Sequence, residues 1–251
     1  MMIKHWPLSF AIAHRGASML APENTISALK KAKAHGAHSV ECDIQLTRDH
    51  EAIIFHDETL ARTTNSRGRL SETTFSRIQT LDAGSWFSAE YKNEPVPTLA
   101  EWLKTAAILK LNLNLEIKST SKKESIALAE LLIDHLQKFW PAHSTALLIS
   151  SSNQFALMQI SERAKSLPLG LITEKLLTEK NATELVNSNI VSVHQPYQLL
   201  NQHYIDMLHL HDLRVLAYTV NDLNRLQELQ AMGIDGIFTD NHVLFNEVGQ
   251  K

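Results

Sequence analysis

The stretch SVECDIQLTRDHEAIIFHD, residues 39–57, decides the architecture. Its first part, 39–43, reads as a strand, Arg48-Asp49-His50 as a turn, and 52–56 as a returning strand, so the segment predicts a hairpin. Residues two apart in a strand share a face, which sets Glu41 beside Asp43. With the turn near Asp49, position 56 is expected roughly opposite position 43, on the same side as both carboxylates.

Outward from this hairpin, short apolar runs alternate with longer amphipathic segments, the pattern of repeated β-α units around a parallel sheet. Strands are predicted at 10–13, 39–43, 112–117, 146–150, 169–172, 190–193, 215–219 and 236–239. Helical segments with apolar residues three or four apart include 25–35, 123–139, 154–164 and 223–232. Eight strands with helices between them predict a closed (β/α)8 TIM barrel rather than an open sheet. The rhythm breaks at 57–97, which holds RTTNSRGR, DAGSWF and two prolines. This segment is expected to be a small capping insertion over one barrel mouth.

At 251 residues the chain matches one barrel, which ordinarily takes about 250 residues, so 1–251 is read as a single domain. Hydrophobic residues make up 44% and charged residues 20%, with no run near the roughly 20 apolar residues that cross a bilayer. The N-terminal stretch is broken by Pro7 and ends at His14-Arg15 without a small-residue cleavage site, which argues against a secretory signal. Cys42 is the only cysteine, so no internal disulfide forms and a cytoplasmic location is expected. A net charge of −3 with scattered Lys and Arg leaves no footprint for nucleic acid or stable membrane association, and favours a small-molecule substrate. A homodimer stays open. His135, His143, His209 and His211 lie in polar helical contexts and read as surface residues.

In a barrel the active site is built at the C-terminal ends of the strands. His14-Arg15-Gly16, Glu41 and Asp43, and Glu116 and Lys118 close three predicted strands, and His56 ends the returning arm of the hairpin. Carboxylates converging there would repel one another unless a hard cation neutralised them, and oxygen donors suit Mg²⁺ or Ca²⁺. Glu41, Asp43 and Glu116 are therefore the candidate metal ligands. Arg15 and Lys118 are candidates for gripping phosphate oxygens. His14 and His56 remain to move protons near neutral pH, with the acid and the base not yet told apart. Singly, Glu-x-Asp could be a surface pair, Lys118 an ion-pair partner and His14 a core residue; their convergence at one barrel end argues against these plainer readings.

The motifs HRGASMLAPENT (14–25), VECDIQLTRD (40–49), FHDETLARTTN (55–65), DAGSWF (82–87), VPTL (96–99), LEIK (115–118), AYTVN (217–221) and GIDGIFTD (233–240) run almost end to end. Together they resemble the glycerophosphodiester phosphodiesterase family, in its short bacterial cytosolic form. The resemblance implies a barrel with an insertion, and one divalent cation, Mg²⁺ first and Ca²⁺ or Mn²⁺ as alternatives, on Glu41, Asp43 and Glu116. It also implies acid–base catalysis by His14 and His56. The implied substrates are deacylated lipids such as glycerophosphocholine and glycerophosphoethanolamine, cleaved to sn-glycerol 3-phosphate and an alcohol. The implied nucleophile is the substrate's own glycerol hydroxyl, giving a cyclic phosphate that water opens.

Tyr218 stands where family members commonly carry Trp, and with His194, Trp86 and Phe87 completes the expected substrate pocket. Glu23 and Asn24 are expected to cap the first helix or to support Arg15. Cys42, between two inward carboxylates, should face the helix layer. A related barrel phospholipase acting on phosphatidylinositol or sphingomyelin would be expected to carry an apolar or basic rim, or a secretion signal, and neither is evident. A catalytically inactive binding barrel is disfavoured by the intact set of histidines and carboxylates.

Overall fold

The computed structural model describes residues 6–140 and 146–246, so His143 lies outside the described residues. Eight parallel strands form the barrel: β1 (Ala11–Ala13), β2 (Ser39–Leu46), β4 (Asn112–Ile117), β5 (Leu147–Ser151), β6 (Leu169–Ile172), β7 (Ile190–Pro196), β8 (Arg214–Tyr218) and β9 (Gly236–Thr239). β1 pairs with both β2 and β9, which closes the sheet on itself. The ninth strand, β3 (Ala52–Ile54), runs antiparallel along Ile44–Leu46 of β2, forming the expected hairpin.

Helices α1 (Ile26–Ala34), α3 (Leu99–Leu109), α4 (Lys122–Phe139), α5 (Gln154–Arg163), α6 (Glu179–Asn187), α7 (Gln202–Leu210) and α8 (Leu223–Ala231) lie between the strands, and the short α2 (Phe75–Ile78) lies in the insertion. The longer helices start where a side chain takes up a free backbone N–H. Thr25 accepts from Ala28 N, Ser121 from Glu124 N, and Asp222 from Arg225 N, while Thr98 and Glu101 form a reciprocal capping box.

Alternation along β2 sorts its residues. Val40, Cys42, Ile44 and Leu46 pack outward into the core between barrel and helices, alongside Leu29, Trp102 and Leu103. Cys42 is a buried free thiol there, as expected. Inside the barrel, Leu8, Ile12, Leu148, Leu216 and Phe238 form an apolar plug. Buried among the inward residues are also Asn114, Ser150, Ser192 and His194. Gly170 on β6 makes room for His194, since a Cβ there would stand 2.6 Å from its Nε2.

The insertion builds its own small core from Leu60, Leu70, Ile78, Leu81, Ala83 and Val96, together with Ile53 and Phe55 of the hairpin arm. Several contacts fasten it to the barrel, two of them at α1 and the turn before it. The Tyr91 hydroxyl donates to the Leu20 carbonyl at 2.9 Å, and the Glu94 carboxylate accepts from Ser27 N and Oγ at the start of α1. None of residues 57–97 lines the central cavity.

Candidate active site

Parallel pairing of β2 with β4 sets Glu41 beside Asn114 and Asp43 beside Glu116. Glu41, Asp43 and Glu116 each bring a carboxylate oxygen within 4.8 Å of the others. Burial, then the charges of Asp43 and Glu116, push Glu41 well above the usual carboxylate range. Burial and then Asp43 raise Glu116 to about 7, against the opposing pull of Lys118 and Arg15. Burial would also raise Asp43, but Lys118, Arg15 and His56 outweigh it and hold this carboxyl at about 2. A cluster in which two of three acids resist ionisation lacks positive charge, and Glu41 Oε1 is buried without a hydrogen-bond partner.

The HRG turn explains its own sequence. Arg15 takes a left-handed conformation (φ 55°), which lets its backbone N–H donate to Glu41 Oε2 at 3.0 Å. Gly16 follows at φ 84°, where a Cβ would lie 2.7 Å from the backbone of Ala28 in α1, so only glycine fits. The Arg15 guanidinium reaches Asp43 Oδ2 at 3.3 Å and Glu23 Oε1 at 2.8 Å. Lys118 Nζ stands 3.3 Å from Asp43 Oδ1 and 3.9 Å from Glu116 Oε1. Glu23 therefore supports Arg15, while Asn24 donates to Asp43 Oδ2 at 2.8 Å; the cap of α1 falls to Thr25 rather than to either of them.

Both histidines are oriented by carboxylates. His14 Nδ1 lies 2.8 Å from Asp240 Oδ1, and Asp240 also accepts from Ser18 Oγ and Asn221 Nδ2 at 2.8 Å each. Burial would raise Asp240, but these partners, His14 foremost, hold it at about 2. With its Nδ1–H committed to that carboxylate, His14 turns Nε2 toward the acidic cluster, 4.0 Å from Glu41 Oε2. His56 Nδ1 lies 2.6 Å from Asp57 Oδ1, and Arg62 clamps Asp57 through Nε at 2.7 Å and Nη2 at 2.8 Å. Arg62 also reaches Glu23, closing a chain of charges from His56 round to Arg15. Burial lowers the His56 pKa, with Asp43 opposing.

The hairpin register differs by one from the expected pairing. Ile44 pairs with Ile54 and Gln45 with Ile53, so the residue opposite Asp43 is Phe55, whose N–H donates to the Asp43 carbonyl at 2.9 Å. His56 reaches the site because the chain leaves the ladder there. Gln45 fixes that departure: its Nε2 donates to the carbonyls of Phe55, His56 and Asp57 at 2.8, 2.9 and 3.0 Å.

A cavity of about 330 Å³ opens over the cluster, lined by His14, Arg15, Glu41, His56, Glu116 and Lys118 on one side and by Ile172, Glu174, His194 and Tyr218 on the other. His194 is buried, with Nε2 3.0 Å from Ser192 Oγ and its ring 5.0 Å from that of Phe238. Burial depresses its pKa to about 3, so it is a neutral floor residue. Tyr218 is a wall residue whose phenol is pushed up to about 12 by burial and then by Glu174 and Glu116. Trp86 and Phe87 do not line the cavity, contrary to expectation. Trp86 donates Nε1–H to the Ala83 carbonyl and meets Phe87 edge-on, and Phe87 meets Tyr91 in the same way, so the aromatics contact one another on the insertion, with Trp86 exposed.

Asp57, Arg62, Gln45, Ser18, Asn221 and Asp240 were not singled out in the sequence, although each lies within a quoted motif. Their only sequence signal is membership of those motifs. Glu174 lies in none of them.

Residues 14–244 match the model of the glycerophosphoryl diester phosphodiesterase family. A glycerophosphodiester phosphodiesterase of Caldanaerobacter subterraneus subsp. tengcongensis is 32% identical over 232 residues, spanning 92% of this chain and 94% of its own. One from Bacillus subtilis is 34% identical over 252 residues, spanning 94% and 85%. Among solved structures, an Oleispira antarctica phosphodiesterase in complex with the product sn-glycerol-3-phosphate superposes with a TM-score of 0.91 at 30% identity, covering 96% of each chain. With its motifs on the mouth of a closed barrel and a family match over nearly its whole length, the chain belongs to the glycerophosphoryl diester phosphodiesterase family.

Proposed function

We propose that this site hydrolyses glycerophosphodiesters to sn-glycerol 3-phosphate and an alcohol, with His14 and His56 as the proton-transferring pair and Arg15 and Lys118 as the phosphate grip. The observation that carries the reading is the matched pair of histidines. Each has Nδ1 on a carboxylate and lines the cavity beside the acidic cluster, which leaves Nε2 for the chemistry.

Glu41, Asp43 and Glu116 would hold one divalent cation, Mg²⁺ first on the all-oxygen donor set, with Ca²⁺ or Mn²⁺ as alternatives. The buried, partnerless Glu41 Oε1 fits that role. Such a cation supplies positive charge to the acidic cluster and to the phosphate oxygens as charge builds on them.

Ser152, Thr173 and Thr219 also line the cavity, but among the described residues neither histidine ring hydrogen-bonds a Ser, Thr or Cys side chain, which favours attack by the substrate's own glycerol hydroxyl. One histidine takes the proton of that hydroxyl as its oxygen bonds to phosphorus. The other gives a proton to the departing alkoxide, releasing the alcohol and a cyclic phosphate. Water then opens the ring, the roles reverse, and sn-glycerol 3-phosphate leaves with the protons restored.

The whole chain works as one catalytic unit, because Asp57 and Arg62 of the insertion support His56 and Glu23. No described helix is long and apolar enough to cross a membrane. The buried free thiol of Cys42 suits a reducing compartment such as the cytoplasm. Incubation of the purified protein with a panel of glycerophosphodiesters and divalent cations, with coupled detection of glycerol 3-phosphate, tests the reading. Release of glycerol 3-phosphate in a cation-dependent manner is expected; no release from any member of the panel would refute it.

A further inference from the structure

The side chains proposed to grip phosphate and a lone carboxylate stand on opposite walls of the cavity. β1 and β4 run on into Arg15 and Lys118, beside the acidic cluster, while the facing strand β6 runs on into Glu174, a carboxylate with no cation within ion-pairing distance among the described residues. Glu174 is exposed at the rim, yet its backbone is held on both sides. Thr173 N donates to the His194 carbonyl at 3.0 Å, Lys175 N to Thr173 Oγ1 at 3.1 Å, and the buried Gln195 donates Nε2–H to the Lys175 carbonyl at 2.9 Å. A rim loop pinned this closely fixes the backbone from which the Glu174 carboxylate reaches over the cavity.

Depth assigns the two ends of a bound diester. Below the acidic cluster the barrel is closed by its apolar plug and by His194, so the interior receives only the small, invariant glycerol end. The leaving alcohol, which varies in size, must point outward past the rim. With phosphate held by Arg15 and Lys118, a diester with an ammonium on its alcohol places that cation toward the Glu174 carboxylate on the opposite wall.

We propose that Glu174 is a specificity-determining residue that receives the ammonium of the leaving alcohol, so that the preferred substrates are zwitterionic glycerophosphodiesters. This rests on the reaction proposed above. The test compares kcat/KM for glycerophosphoethanolamine with that for glycerophosphoglycerol, a neutral-alcohol diester of similar size, in the unaltered protein, Glu174→Gln and Glu174→Lys. The ratio is expected to fall about fivefold in Glu174→Gln, chiefly through KM, and further in Glu174→Lys, as for one partly exposed charge pair. Added salt should lower the ratio in the unaltered protein. Equal losses on both substrates would place Glu174 against the glycerol end and overturn the proposal, as would an unchanged ratio. If the unaltered protein releases glycerol 3-phosphate from neither diester, the underlying reaction fails as well, so the two failures are distinguishable.

Discussion

His56 Nδ1 lies 2.6 Å from Oδ1 of Asp57, the residue that follows it, and both oxygens of that carboxylate are bonded by Arg62. His14 has the equivalent partner in Asp240, 226 positions away, where neutral Ser18 and Asn221 take the place of the arginine. Either carboxylate fixes the tautomer and the aim of its imidazole. Asp240→Asn and Asp57→Asn should each lower kcat by about 10- to 100-fold with a smaller change in KM, because the ring is misaimed rather than removed. Steady-state kinetics check this; kcat within twofold of the unaltered protein in both variants would mean that the carboxylates orient nothing.

Gln45 tests the same idea from the backbone side. Its amide has two N–H bonds shared among three carbonyls of residues 55–57, and it is the clasp that turns His56 out of the ladder. Gln45→Leu should cost about tenfold in kcat while leaving the far-ultraviolet circular dichroism of the barrel unchanged. Full activity in this variant would show that Asp57 and Arg62 suffice.

How much of this was readable in advance follows from sequence distance. β4, β6 and β9 match their predicted bounds because each is a short apolar run between clear breaks. β2 and β7 run beyond the predicted 39–43 and 190–193, since polar Gln45, His194 and Gln195 look like loop residues in a one-dimensional reading. The acids, cations and histidines were readable because strand ends collect them at one mouth. Asp240 and Arg62 were not, because a supporting residue is defined by what it touches. The one-residue shift in hairpin register was unreadable for a related reason: the turn closes with Glu51 N donating to Thr47 Oγ1 and Thr47 N to the Glu51 carbonyl, contacts that no periodicity predicts. Trp86 and Phe87 show the opposite error, an aromatic pair that turns its rings on each other and on Tyr91 instead of on the cavity.

His194 gives the fold a pH dependence. Its native pKa near 3 lies below the ordinary 6.5, so the unfolded chain takes up a proton that the native state refuses. The stability it confers is therefore present above about pH 6.5 and is lost as pH falls toward 3. At about pH 5 the loss from this residue is about 2 kcal/mol. Urea unfolding at about pH 7.5 and about pH 5 should show a smaller pH effect in His194→Gln than in the unaltered protein; identical slopes would show that His194 is not the group responsible.

Cation binding and proton transfer should separate by mutation. Glu41→Gln, Asp43→Asn and Glu116→Gln each remove a charged oxygen and should weaken Mg²⁺ binding in calorimetry, and a chelator should abolish turnover until Mg²⁺ is returned. His14→Ala and His56→Ala should keep cation binding while losing about 10²–10⁴-fold in activity. Full turnover in chelator-stripped protein would refute the metal assignment.

The central claim is that the substrate's own hydroxyl attacks the phosphorus between the two histidines. Phosphorus NMR during turnover of glycerophosphocholine and of its analogue methylated on the neighbouring hydroxyl tests it directly. The account predicts a transient cyclic phosphate followed by glycerol 3-phosphate from the first, and binding without cleavage for the second. Rapid hydrolysis of the methylated analogue, with no cyclic species at any time, would contradict it and leave attack by water as the route.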